Sequence, residues 1–391
     1  MNSPNKVDMW RLPAKVEANG FKYKSLCNWV VNTAVGCSHG CHFCYVPSIT
    51  NWQREKLSKF GVQDPDSEWG EYALLREWNP DVFCSSLAKA ANTPLPELKP
   101  DGNRAIMFSS TTDPYQAFNA GSTERTRQLN LRSEQLVRRC LELICHESKL
   151  NVRILTRSPL AKQHFDLFKA FGDRLVFGMS LPTLNDKLSR VYEPNAPGPK
   201  ARLRTLLEAR EAGLNVYVAL APTYPECDEA DIETTLKEIR KLDPVTVFHE
   251  PINIRAENVR RIEQAAKRLG VKMNLAVYAT PEAWMKYAVE QLLLVQRLAA
   301  RTGLSEVLHL WPDHDDLSRK KTFLSARKLL RADLKLDEEE LKVRAQEDAG
   351  YYEKEYLPWL QGWWNRVSEW PGQKRAEDFK IPALIDPFKQ C

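Results

Sequence analysis

From residue 104 to 275 the chain alternates short apolar runs with stretches whose apolar positions recur at helical spacing. The runs are "RAIMFSS", "NVRILTRS", "RLVFGMSL", "LNVYVALAPTYP" and "VTVFHEPIN", dominated by Val, Ile, Leu, Phe and Tyr. Continuous runs of this kind suit parallel strands buried on both faces. Between them lie Ser122–Glu147, a helix around Lys162–Ala170, "KARLRTLLEAREAG", "EADIETTLKEIRKL" and "AENVRRIEQAAKRLG". Leu203, Leu206 and Leu207 share one helix face, and Gly213 and Gly270 stand where their helices should stop. A further strand at "NWVVNTAV" brings the count to roughly six β/α units. The expected fold class is therefore α/β, a partial (β/α)6 TIM-like barrel or a doubly wound sheet.

The rhythm breaks twice. Residues Ser48 to Gly102 form an excursion that carries Trp52, Trp69 and Trp78. Beyond Pro281, "PEAWMKYAVEQLLLVQRLAARTG" reads as one long amphipathic helix, followed by a charged tail with Trp311, Trp359, Trp363, Trp364 and Trp370 and no strand rhythm. The expected organisation is an N-terminal segment (1–25), a partial barrel (26–280) and a helical C-terminal extension (281–391).

At 391 residues and 43% hydrophobic content, the chain can bury a sizeable core. Its start, "MNSPNKVDMW", has no basic stretch before an apolar run, so no secretory signal is expected. Its longest apolar stretches fall short of a membrane span. Nine cysteines, an odd count with one tight cluster, do not make a disulfide framework. These features predict a soluble protein in a reducing, cytoplasmic setting. The net charge of +5 permits an anionic partner without requiring one.

In parallel α/β proteins the active site forms at the carboxyl ends of the strands. The polar residues there are the cysteine loop "GCSHGCHFCYVP", "SSTTDPY", Thr156 and Arg157, Ser180, Thr223 and Tyr224, and His249, Glu250 and Asn253. Three chemistries compete for Cys37, Cys41 and Cys44. Structural zinc needs a fourth ligand from His39, His42 or Cys27, in place of the usual second cysteine pair. Thiol–disulfide exchange uses Cys41 and Cys44 and leaves Cys37 unexplained. A [4Fe–4S] cluster held by three thiolates leaves one iron open, as a catalytic site requires.

Cys-x3-Cys-x2-Cys with an aromatic before the last cysteine, after the first strand of a β/α barrel, resembles the radical S-adenosylmethionine (SAM) superfamily. "GCSHGCHFCYVPS", "SEWGEYALL", "SSTTDPYQ", "ILTRSPL", "GMSLPTLNDKLSRVYEPNAPGPKARLRTLLEAREAG" and "LAPTYP" are similar to its spore-photoproduct-lyase-like branch, often labelled "DNA repair photolyase". The resemblance covers roughly residues 26 to 275. It implies an enzyme of lyase or transferase type. Its cofactors would be a [4Fe–4S] cluster and SAM, and reductive cleavage of SAM would give a 5′-deoxyadenosyl radical that abstracts a hydrogen atom from substrate. An external one-electron reductant such as flavodoxin or ferredoxin is implied as partner, and no membrane. A nucleic acid or nucleotide is the slightly favoured substrate. A peptide or small metabolite, or a non-catalytic iron–sulfur protein, are the alternatives.

Carried over residue by residue, the resemblance makes Cys37, Cys41 and Cys44 the cluster ligands. It implies Phe43 beside the adenine, Arg157 on the methionine carboxylate and Ser180 as a hydroxyl contact. Glu193, with Arg190 one turn before it, would hold the ribose or amino group. Asp113, His249 and Glu250 are the candidate catalytic residues. The bland readings are a turn at Asp113-Pro114 and an i,i+3 surface pair at Arg190/Glu193. In one respect the chain departs from the branch. Spore photoproduct lyase proper places a hydrogen-donating cysteine immediately before "T-x-D", where this chain has Ser109-Ser110. A hydroxyl O–H bond is much stronger than a thiol S–H, so repair by that route is not expected. Cys84, Cys140, Cys145 and Cys227 are possible substitutes, with Cys227 nearest the expected mouth. The basic run Leu317–Lys335 reads as a phosphate-tracking surface or a solvated helix face. His309 and His314 are a weaker candidate second site.

Overall fold

The computed structural model describes residues 6–21, 26–99, 102–108, 110–118, 123–255, 257–366 and 381–389. The described residues form eleven strands: β1 (Lys6–Pro13), β2 (Glu17–Ala18), β3 (Trp29–Val31), β4 (Ala34–Gly36), β5 (Tyr72–Glu77), β6 (Ala105–Phe108), β7 (Asn151–Thr156), β8 (Leu175–Ser180), β9 (Asn215–Thr223), β10 (Thr246–Pro251) and β11 (Leu308–Leu310). An eight-stranded sheet runs in the order β11-β10-β9-β8-β7-β6-β3-β2 and does not close. All its pairings are parallel except β2 with β3. This is the expected partial barrel.

Side-chain alternation divides the sheet's two faces. Ile106, Phe108, Val152, Ile154, Phe177, Val216, Val218 and Val247 point to the main core, packed under the helices. Val30, Met107, Val176, Tyr217 and Phe248 fill the concave side with Cys27, and Leu155 and Trp311 pack against them.

Two features differ from the sequence expectation. "NWVVNTAV" breaks at Asn32-Thr33 into β3 and β4, and β4 leaves the large sheet. It pairs antiparallel with β5, which pairs in parallel with β1, in a separate three-stranded sheet. The cysteine loop therefore follows a strand of this small sheet, and residues 48–102 supply its central strand. Second, the segment after Pro281 contains a strand. The helix Pro281–Thr302 leads into β11, which extends the large sheet beyond β10. Three residues within a polar stretch are too short to register as a periodic strand.

Candidate active site

The cysteine loop begins at a backbone position that only glycine fits. Gly36 has φ +85°, and a Cβ there would lie 2.5 Å from the Tyr72 ring and carbonyl. Further on, a Cβ on Gly40 would lie 2.9 Å from the Cα of Gly70. The loop thus rests directly on backbone from the excursion.

Other segments pin it. The Ser38 N–H donates to Gln116 Oε1 at 2.6 Å, and Asn195 Nδ2 donates to the Ser38 carbonyl at 3.1 Å. The His42 N–H donates to the Tyr192 carbonyl at 2.8 Å, and its Nδ1 donates to the Val191 carbonyl at 2.6 Å. Arg261 donates to the carbonyls of His42 (3.1 Å) and Cys44 (3.0 Å) while paired with Asp66. Cys37 and Cys41 are buried and Cys44 is partly buried. Burial pushes all three thiols up to about 12, and each also feels charge on another of the three. Among the described residues, no three His, Cys, Asp or Glu side chains converge as on a single metal ion. In a cubane each thiolate instead binds its own iron.

Asp113 ties the ends of β6 and β7 to this loop. Its Oδ1 accepts from Thr156 Oγ1 (2.7 Å) and the Tyr115 N–H (2.9 Å), and its Oδ2 from the Arg157 N–H (2.8 Å). His39 Nδ1 lies 3.3 Å from Oδ2. Although burial opposes it, His39 and these donors hold the carboxyl down at about 2.

Beside the cysteines stands a buried ion triad. Arg157 Nε donates to Glu193 Oε1 at 2.5 Å, and Arg202 Nη2 lies 2.6 Å from Glu193 Oε2. Arg202 also donates from Nε to the Pro197 carbonyl (2.7 Å) and from Nη1 to the Ser180 carbonyl (3.1 Å). Burial raises the Glu193 carboxyl, but Arg202 first and Arg157 second outweigh it and bring it to about 2. The Arg157 guanidinium sits 5.4 Å from the Phe43 ring centroid. Phe43 lies 6.0 Å from Tyr224, which stacks on Tyr192 at 3.7 Å with the rings 3° from parallel. The Tyr224 hydroxyl is buried with no hydrogen-bond partner among the described residues.

The structure thus brings together Cys37, Cys41, Cys44, Phe43, Asp113, Arg157 and Glu193. Ser180 ends β8 on the concave face by alternation with Val176, and is buried. Arg190 departs from expectation. It is exposed, and Glu193 turns instead to Arg157 and Arg202. His249 departs too: it alternates with Phe248 and shares the helix-facing side with Val247, whereas Glu250 shares the concave side. Arg202 and Arg261 escaped the sequence reading. Their signal is an arginine on a buried stripe, with Thr205, Leu206 and Ala209 in one helix and Ile262, Ala265 and Ala266 in the other.

Ser110 is held by Asn32, through Nδ2 at 3.0 Å and Oδ1 at 3.1 Å, and its carbonyl accepts from the Tyr45 hydroxyl at 2.5 Å. Ser109, Trp370 and Cys391 lie outside the described residues. Cys227 and Cys140 are buried among core residues, while Cys84 is exposed. The basic run is partly spent internally. Arg327 and Arg331 close on Asp348, and Lys320 and Arg319 pair with Glu353 and Asp316 at 2.5 and 2.9 Å. His309 packs on Phe248, and His314 on Trp364. No helix among the described residues is long and apolar enough to cross a membrane.

No family model matches the chain. Over 255 residues it is 32% identical to the uncharacterized protein ORF301 of Acidianus two-tailed virus, a match covering 63% of this chain and 75% of that protein. Among solved structures, it is similar to a cysteine-to-serine variant of spore photoproduct lyase, with TM-score 0.53 and 16% identity over 78% of this chain and 80% of that one. It is also similar, with TM-score 0.50 and 15% identity over the same shares, to a variant of that lyase solved with bound AdoMet and dinucleoside spore photoproduct. The chain belongs to the family of the viral protein ORF301, and its fold is that of spore photoproduct lyase.

Proposed function

We propose that this chain is a radical SAM enzyme whose three cysteines hold a [4Fe–4S] cluster and whose substrate carries an abstractable hydrogen atom. The observation that supports it most is three thiols, two buried and one partly buried, on one pinned loop beside the Arg157–Glu193–Arg202 triad. Three thiols gathered on one loop are a soft donor set, which suits an iron–sulfur cluster. Near them the buried Tyr224 hydroxyl, without a hydrogen-bond partner among the described residues, is a polar atom that a bound group could engage. Cys37, Cys41 and Cys44 would hold the cluster, which would supply the electron for reductive cleavage of SAM.

The protein's own part is placement. Arg157, its backbone N–H bonded to Asp113 and its Nε to Glu193, has further guanidinium N–H groups to offer the methionine carboxylate. Two guanidiniums against one carboxylate leave a net positive site for that anion. The rings of Phe43 and Tyr224 form an apolar wall beside it. Asp113 has both oxygens occupied and a carboxyl near 2, so it acts as a positioning residue. Glu250 is the remaining candidate for contact with substrate. A nucleic acid or nucleotide is the favoured substrate class, supported by the lyase neighbour solved with a dinucleoside photoproduct.

Anaerobic reconstitution with iron and sulfide, then dithionite and SAM, tests the reading. The expected product is 5′-deoxyadenosine with methionine. A normal cluster spectrum without cleavage would refute the enzymatic reading.

A further inference from the structure

The outer side of the cysteine loop is covered by two short helices packed against each other, Asp186–Tyr192 and Asn258–Leu269. His42, between Cys41 and Phe43, is held by the Val191 and Tyr192 carbonyls of the first helix, and Arg261 of the second helix reaches the carbonyls of His42 and Cys44. The solvent side of these helices is therefore one layer away from two of the three thiols.

That side is basic. Lys187 and Arg190 on the first helix and Arg268 on the second are exposed. Among the described residues, none of the three closes an ion pair. Arg268 is near enough to His42 for its charge to be felt there. The first helix has one acid, Asp186, at its start. On the second, Glu263 is engaged by Lys267 at 2.8 Å, and just before it Glu257 is engaged by Arg260 at 2.7 Å. Leu269, 44% exposed, adds an apolar spot at the edge.

We propose that this surface docks an acidic one-electron carrier protein of the flavodoxin or ferredoxin class. The inference rests on the radical reading, which consumes one electron for each SAM cleaved. The carrier loses that electron and the bound cluster gains it, and no bond or proton moves. The charge pattern fits this occupant, because electron-transfer encounters are small, transient and steered by opposite charge. Nearness matters as well, since a carrier seated here is separated from the cluster only by the His42 segment and one layer of helix.

The test uses full-length protein, reduced flavodoxin as the probe, and two triple variants. Lys187→Glu/Arg190→Glu/Arg268→Glu reverses the patch, and Lys187→Arg/Arg190→Lys/Arg268→Lys preserves it. Direct binding of flavodoxin is measured at low and high salt, and 5′-deoxyadenosine formation is followed with either flavodoxin or dithionite. The reversed variant should bind at least about tenfold more weakly at low salt and lose its salt dependence. Its flavodoxin-driven cleavage should fall in step, while dithionite-driven cleavage stays at the wild-type rate. The charge-preserving variant should match wild type in every measurement. Unchanged binding on reversal, or an equal loss with dithionite, overturns the docking surface. Wild-type protein that cleaves no SAM even with dithionite overturns the radical reading separately, and loss of flavodoxin binding on reversal would still uphold the surface.

Discussion

Replacing Arg202 with Met tests whether the buried triad is what organises the site. Arg202 has no exposed side-chain surface and is far from the solvent edge, where Arg157 keeps 18% exposure. The substitution keeps the apolar stem and removes one of the two guanidiniums on Glu193; Arg157 still compensates the carboxylate, so this part costs less than the ~3–5 kcal/mol of a buried charge left unpaired. It also strips the Ser180 and Pro197 carbonyls of their donor, at about 1–3 kcal/mol for each group left unsatisfied. The orphaned carbonyls set the floor, and the weakened pairing of Glu193 adds to it. Against a total of about 5–15 kcal/mol, the variant should be visibly unstable. Urea unfolding of the apo protein reads the loss as a shift in midpoint at constant slope. A double-mutant cycle with Glu193→Leu isolates the pair. Glu193→Leu alone leaves two guanidiniums facing each other, so adding Arg202→Met should recover stability. A single-variant loss under about 1 kcal/mol, or costs that simply add in the cycle, would refute the reasoning.

Alanine at Cys37, Cys41 or Cys44 should each abolish cluster absorbance after reconstitution while leaving the far-ultraviolet circular dichroism intact. Apo protein should lose stability as pH falls from about 4.5 toward 2, because Glu193 and Asp113 titrate near 2 when folded and near 4 when unfolded. Stability from these groups is fully present above that window, and a urea midpoint that stays flat across it would count against both assignments. Gly40→Ala should reduce iron incorporation, since its Cβ would lie 2.9 Å from backbone that cannot yield. Irradiated spore-type DNA should show no dimer reversal, because Ser110 offers only a strong O–H bond and is already held by Asn32; release of thymine pairs would contradict this.

The large sheet was legible because parallel strands buried on both faces write continuous apolar runs, as "RLVFGMSL" does. The small sheet was not, because β4 is three residues long and shares its apolar character with β3. Only the turn at Asn32-Thr33 separates them, and which sheet β4 joins depends on β5, more than thirty residues away. In the site, the spacing of Cys37, Cys41 and Cys44 singled out the loop, and Phe43, Arg157 and Glu193 entered through the resemblance alone; the fold brings all six close together. Glu193's partners were not legible, since i,i+3 proximity favours Arg190 while the helix rotates that residue into solvent. His249 fell to a parity argument: in a strand, one position along the chain is the opposite face. Arg202 could have been found, because a charge on a helix's apolar stripe requires a buried counter-charge.

The strand β11 has a consequence for how the chain can be shortened. An eight-stranded open sheet has two rims, and here both are short: β2 with two residues and β11 with three. Ending the chain near residue 280 would bare β10, six residues long and largely buried, as a new rim with unpaired amides and carbonyls. Such a rim invites pairing with another copy. A truncated protein of this design should therefore precipitate or self-associate even if the cysteine loop folds, and the polypeptide beyond 281 is best regarded as the guard on that side of the sheet.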